Sequence, residues 1–433
     1  MYLFTHKTSS LWRDLNFFRL WLASVVSSFG DAAYFILLGW FVIHSMGSPL
    51  ALGTVLTVAS IPRLIFMLIG GVMADRFNRK WILITSLGTR SIVLVFFSLF
   101  LLTFHRVHPL LIDTLAIVFG TVDAFFWPAN GSIVPLVVTD EKLPTANSLI
   151  QTSQQLSAVM GPLIASALLL MHRYADMFLV VALMYLGSAG ILLFLRLRAL
   201  PLETSDANEP TLRDTKNATR QTLSPLRDLA SGISYTLSIR ILTLIMVASL
   251  IINVLFMGPI NIGIPVLVHI RDWRGSVYAT FEASLGFGAI AGGILIGLLK
   301  GLRGHMKWLG MIGSGVGIGI ALIGWINNPW QGIVIMSALG VIISVVNIPF
   351  TTYIQTIVAQ DKLGRVMSLL SFMSIGLTPL SYAGSAFLLQ VKWLSLRQLF
   401  LGTGSLLFLF WVILTIVPSF RTLEDHPKWK KTA

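Results

Sequence analysis

Runs of about 20 apolar residues, separated by short polar breaks, recur along the whole chain. A helix of that length crosses a hydrocarbon layer about 30 Å thick. The pattern predicts twelve such helices, at approximately 17–43, 50–74, 81–104, 110–135, 144–170, 175–198, 239–268, 278–299, 306–326, 331–358, 364–390 and 396–418. Between the sixth and seventh runs the pattern fails. Residues 199–238 are polar and mixed in charge, as expected of a connector. Within it Ser224-Pro225 reads as a helix start, and Leu226, Leu229, Ile233 and Leu237 follow at helical spacing. That spacing suits either an amphipathic helix lying on the membrane surface or an extension of the seventh helix. The expected organisation is a six-helix bundle over 1–198, a linker over 199–238, a second bundle over 239–418 and a tail over 419–433.

The two bundles share sequence. Residues 133–149, IVPLVVTDEKLPTANSL, align without gaps to 353–369, YIQTIVAQDKLGRVMSL. Val138, Lys142, Leu143, Ser148 and Leu149 recur identically, and both stretches fall between the fourth and fifth helix of their half. Six helices per copy leave the copies in the same orientation, which makes a parallel repeat.

Composition agrees with a membrane protein: 55% of residues are hydrophobic, 11% are charged, and the mean hydropathy is +0.82. The net charge of +13 would suggest nucleic acid in a soluble protein, but its distribution points elsewhere. With both termini inside, 23 of the 31 Lys and Arg fall on the inner side and 6 on the outer, while Arg63 and Arg90 lie within helices. The excess sets orientation, and no nucleic-acid partner is implied. The chain has no cysteine, hence no disulfide or thiolate metal site. All eight histidines fall at helix ends, in loops or in the tails, and no phosphate-binding loop ends in Lys-Ser/Thr. No metal, nucleotide or other cofactor is therefore expected, apart from protons as a coupling ion.

One turn concentrates charge. In GGVMADRFNRK, residues 70–80, the spacing Gly71-x-x-x-Asp75-Arg76-x-x-Arg79-Lys80 closes the second helix. Gly71 leaves room for another backbone, and Asp75 opposes the helix dipole, so it needs a partner elsewhere. Twelve helices in two parallel halves with this motif between helices 2 and 3 resemble the major facilitator superfamily. Within it, SSFGDAAYF at 27–35, GPINIGIP at 258–265 and NIPFTTYIQTIVAQDKLGRVMS at 347–368 resemble the macrolide-efflux and siderophore-exporter branch. The resemblance implies that the partner of Asp75 is the start of helix 11, forming a latch between halves that is made facing outward and broken facing inward. Asn78 stands where the family usually shows glycine, and asparagine tolerates the left-handed conformation. In helix 5, Ser157, Gly161, Pro162 and Ala165 resemble a Gly-Pro motif associated with exporters. A merely structural bend is the alternative reading of the same residues.

Ionisable groups at membrane depth are costly and hence functional candidates. Asp31, Arg63, Arg90 and Asp123 qualify. At 1.5 Å per residue Asp31 lies roughly 21 Å above the start of helix 1 and Arg63 roughly 18 Å above Asp75. The expected pairs are therefore Asp31 with Arg63 and Arg90 with Asp123. Asp31 then serves as a proton carrier or as one end of a permanent bridge. Glu282, about two turns into helix 8 from the outer side, reads as a gate residue or, more simply, as a solvated one. The resemblance also implies a cavity lined by helices 1, 4, 7 and 10, with Asp31, Tyr34, Asp123, Trp127, Asn253, Asn261 and Asn347 as candidate lining. The function so implied is proton-coupled efflux of amphipathic or hydrophobic compounds through the cell membrane, by a single chain among lipids. Export of one endogenous metabolite such as a siderophore fits the same motifs. A membrane-embedded enzyme would need a catalytic cluster that neither histidines nor carboxylates form here, and a passive channel stays open.

Overall fold

The computed structural model describes residues 11, 14–104, 107–171, 173–198, 236, 239–299, 308–421, 423–425 and 429. The first half contains α1 (Leu15–Met46), α2 (Pro49–Arg76), α3 (Arg79–Thr103), α4 (Pro109–Ser132), α5 (Leu143–Leu168) and α6 (Tyr174–Leu193). The second contains α7 (Arg240–Ile270), α8 (Gly275–Leu298), α9 (Leu309–Ile323), α10 (Pro329–Ile357), α11 in two segments (Gln360–Gly376 and Thr378–Gln390) and α12 (Leu396–Ile416). The linker helix expected after Ser224 lies outside the described residues, as does most of the tail.

Local chemistry sets the ends of several helices. Asp14 caps α1 by accepting from the Asn16 and Phe17 amides, and Gly47 closes it in the left-handed conformation at φ 58°. Ser48 then caps α2 ahead of Pro49. Asn328 with Gln331 and Ser395 with Gln398 form reciprocal capping boxes at the starts of α10 and α12. Among the described residues, ten helices are long and apolar enough to cross a membrane. The other two differ for identifiable reasons. α9 is apolar but spans only 15 residues, and α5 carries the polar run Gln151–Gln155. One group of that run is paired across the bundle: the Trp21 indole on α1 donates to Ser153 at 2.9 Å.

Packing repeats with a shift of six helices. α2 lies on α4 and α3 on α6, while α1 packs on α5 and α6; α8 lies on α10, α9 on α12, and α7 on α11. Between halves the main contacts are α2 with the second segment of α11 and α5 with α8. Exchanging the halves turns one of these contacts into the other, as a two-fold axis requires. The protein is thus an all-α membrane fold of two pseudo-symmetric six-helix bundles.

Small residues let backbones meet. A side chain at Gly120 would run into the Ala59 carbonyl of α2, and one at Gly288 into the Ser337 carbonyl of α10. The halves join mainly at the end holding the α1–α2 turn. There Gly53 packs on Ala386, Thr57 Oγ1 donates to the Pro379 carbonyl at 3.3 Å, and Gly275 lies against the Trp40 indole. Ser166 Oγ donates to the Ser276 carbonyl at 3.4 Å. On the seam side of α7, a π-helical stretch at Pro259–Gly263 interrupts the regular ladder, and the Gly258 amide donates to Ser381 Oγ at 2.7 Å.

The two glycines of α4 offer an internal comparison, since a side chain at Gly131 would meet nothing within 4 Å. Gly120→Ala should cost about 1–3 kcal/mol through overpacking, whereas Gly131→Ala should cost none. Thermal unfolding of the purified variants, followed by size-exclusion fluorescence, measures the difference; equal melting would refute the packing account.

Candidate functional site

Five helices of the first half each send one polar group to a common point. Arg90 on α3 is fully buried at 0% exposure. It donates to Asp31 on α1 at 2.8 Å and to Asp123 on α4. Tyr185 on α6 donates its hydroxyl to the same oxygen of Asp31 at 2.8 Å. Arg63 on α2 approaches the other oxygen of Asp123 at 4.0 Å. The Arg90 guanidinium lies 4.7 Å from the Phe126 ring centre and 5.6 Å from that of Tyr185, so aromatic faces supply part of its solvation. Two carboxylates and two guanidiniums sum to zero charge, which is how four ionised groups persist at membrane depth.

The expected pair of Arg90 with Asp123 is present, whereas the expected pair of Asp31 with Arg63 is corrected. Asp31 is bound by Arg90, and Arg63 leans on Asp123. Depth along each helix put the groups at similar levels but could not say which helices touch. α1 rests chiefly on α5 and α6, with little against α2, whereas α2 lies along α4.

Beside the network is a cavity of about 360 Å³ at the seam between halves. Asp31, Phe35 and Trp127 line it from the first half, together with Gln154, Ser157 and Pro162 of α5. Glu282 enters from α8. Its position corrects the expectation of a solvated outer residue: α8 begins at Gly275, which is itself buried beneath the indole of Trp40, so counting turns from the helix start overstates closeness to water. A second cavity of about 510 Å³ lies within the other half, between α7, α10, α11 and α12. Asn253 and Asn347 line it with Phe350 and Trp411, and no ionisable side chain does.

The remaining candidates are dispersed. Tyr34 is buried and stacks on Phe119 at 4.0 Å between ring centres. Asn261 sits in the π-helical stretch of α7, donates to the Met257 carbonyl at 2.9 Å, and lines neither cavity. Trp127 lies 6.0 Å from the Arg63 guanidinium. In α5, Ser157 is tied to the Ser153 carbonyl at 2.8 Å, Ala165 is buried, and Gly161 lets the helix close on Ala32 of α1, one residue from Asp31. The Gly-Pro stretch therefore sits against the charge network. Tyr185, Gln154 and Trp411 were not singled out in the sequence. The glutamine run in an apolar chain was the available signal for Gln154; nothing distinguished Tyr185 or Trp411 from other aromatics.

The charged turn has a definite geometry. Arg79 donates to the Ala74 carbonyl and, at 3.0 Å, to that of Ser132, the last residue of α4. Lys80 donates to the Leu193 and Leu195 carbonyls at the end of α6, each at 2.8 Å. Both cations thus satisfy helix C-termini, where free carbonyls and the dipole favour positive charge. Arg76 is exposed. The side chain of Asp75 lies outside the described residues. Asn78 does not use a left-handed conformation: at φ −65° it caps α3 by accepting from the Lys80 amide. Close approach occurs at Gly70, where a side chain would strike the Ala124 carbonyl. At Gly71, about 100° further round the helix, a side chain would meet nothing within 4 Å.

Residues 20–380 match the sequence profile of the Major Facilitator Superfamily. The chain is 24% identical over 422 residues to macrolide efflux protein A of Streptococcus pyogenes, covering 95% of this chain and 98% of that one. It is 26% identical over 370 residues to YkuC, an uncharacterized MFS-type transporter of Bacillus subtilis, covering 82% and 81%. Its fold superposes on the nucleoside transporter NupG with a TM-score of 0.69 at 13% identity, covering 94% and 98%. A bacterial homolog of the human lysosomal transporter Spinster, in an inward-facing and occupied conformation, superposes with a TM-score of 0.62 at 16% identity, covering 96% and 98%. With that profile running through both bundles and their shared packing pattern, the chain belongs to the Major Facilitator Superfamily, a family of membrane transporters.

Proposed function

We propose that the protein exports amphipathic small molecules, macrolides among them, across the cell membrane in exchange for protons, by alternating access. The observation that carries this reading is the double position of Asp31. Its carboxylate is held by Arg90 and Tyr185, yet it also faces the cavity, with 29% of the side chain exposed. A proton arriving from the cavity would neutralise one arm of the network and leave Arg90 to Asp123 alone, changing how α1 is tied to α3. The likeness to macrolide efflux protein A over nearly the whole chain supports export of bulky organic molecules. So do the two cavities, whose walls are mostly apolar and aromatic.

In this reading the positively charged ends of the bundle, with both termini, face the cytoplasm. The halves then meet at the extracellular side, through Gly53, Thr57, Ser166 and their partners. That is an inward-facing arrangement, in which Gly71 is free of contact. Opening outward would bring Gly71 and Asp75 against the first segment of α11 and complete the latch.

Three experiments test the proposal. Inverted membrane vesicles should accumulate a labelled macrolide against its gradient, and a protonophore should abolish the uptake. In proteoliposomes, Asp31→Asn should lower proton-driven uptake at least tenfold while downhill drug exchange continues. Proton movement that persists in a well-folded variant would remove Asp31 as carrier. Because the chain has no cysteine, Ser166→Cys with Ser276→Cys allows the halves to be joined by a short bifunctional thiol reagent. Joining should stop uptake, and single-cysteine controls should be insensitive; transport through a joined pair would contradict alternating access.

A further inference from the structure

The network leaves one acid unexplained. Glu282 faces the seam cavity, its Oε1 is buried, and that oxygen has no hydrogen-bond partner among the described residues. None of them forms a salt bridge with it. The neighbouring elements supply no counter-charge. α5 presents neutral Gln154 and Ser157, and α10 has no ionisable residue below its tyrosine at 353. α1 presents Asp31, already bound by Arg90 and Tyr185. Tyr278 of α8 and Tyr382 of α11 are within electrostatic reach but uncharged, and Arg63, which also reaches Tyr382, leans on Asp123.

Counting charge at the seam settles what the cavity lacks. Asp31 and Asp123 balance Arg63 and Arg90, so among the described residues Glu282, when ionised, contributes the one uncompensated charge at the seam, and it is negative. An ionised carboxylate in such surroundings is unfavourable unless something positive joins it. The described residues supply nothing, so the partner comes from solution: a proton or a cation. The walls nearby, Phe35 and Trp127, are aromatic and suit a cation with apolar bulk. An anion would be repelled, and a divalent ion would overcompensate a single carboxylate and leave a net positive charge.

We propose that Glu282 is the cation-recognition residue of the transport cavity, taking the positive group of a monovalent lipophilic cation in competition with a proton. This rests on the export reading and narrows its substrates. One carboxylate accommodates one of the two at a time, so binding such a cation displaces a proton from the same oxygen pair.

Equilibrium binding tests the assignment without requiring transport. The probes are tetraphenylphosphonium, a permanent monovalent cation, and chloramphenicol, a neutral amphiphile, bound to the purified full chain in detergent. In the wild type, cation binding should weaken as pH falls, and in weakly buffered solution it should release protons. Glu282→Gln should lower the ratio of cation to neutral affinity at least tenfold and abolish both the pH dependence and the proton release. Glu282→Asp should restore much of that ratio, which a variant acting only by misfolding would not show. Wild-type cation affinity in Glu282→Gln, an unchanged ratio, or loss of both ligands in both variants would overturn the assignment. A wild type that binds the cation through Glu282 yet moves nothing in proteoliposomes would instead sink the export reading and leave the site standing.

Discussion

Arg90 is the point on which the first bundle depends. It is fully buried, and its guanidinium can be tolerated only because two carboxylates and two aromatic faces close on it. Those groups come from α1, α4 and α6, so one buried cation fixes the mutual placement of four helices counting its own. In a lipid environment apolar faces give little reason for helices to choose one neighbour over another. A charge that must be neutralised does give a reason, and it also specifies rotation and depth. The cost of keeping it is a site sensitive to any change in the protonation of its partners.

A second set of cations works at the membrane surface by a different route. Arg79, Lys80 and, at 2.8 Å from the Phe194 carbonyl, Arg19 all donate to the exposed ends of helices. The α2–α3 turn is thereby tied to α4 and α6, and α1 to α6. This leaves the seam between halves relatively free of polar fastening. Among the described residues its contacts include Gly53 on Ala386, Gly275 on the Trp40 indole and a few hydroxyl-to-carbonyl bonds, which are individually weak. Each bundle is internally tied and loosely joined to the other, which is the division of strength that rigid-body motion needs.

Much of this was legible in the sequence. Twelve helices and their approximate limits followed from the length of apolar runs, because the bilayer imposes that length. The parallel repeat was readable from residues 133–149 and 353–369. The four embedded charges were found by rarity alone. What could not be read was adjacency: Asp31 and Arg63 sit at matching depths on consecutive helices, yet α1 packs chiefly on α5 and α6 rather than on α2. Glu282 was misplaced for a related reason, since a helix that starts beneath a closed seam does not start in water. The glycine pair 70–71 and the cap at Asn78 show a third limit. Which of two adjacent positions faces a neighbour, and which backbone conformation a turn adopts, are decided by tertiary contact rather than by residue type.

The neutrality of the four-group cluster has an electrical consequence. A rocking half that carries equal numbers of positive and negative groups does no work in the transmembrane field, where one elementary charge crossing 100 mV is worth about 2.3 kcal/mol. The acid on α8 is outside that balance. In the proposed rocking cycle its occupant would decide whether a swing of the bundles moves charge: loaded with one positive partner the step would be voltage-silent, and ionised but empty it would carry a single negative charge that the resting potential pushes outward.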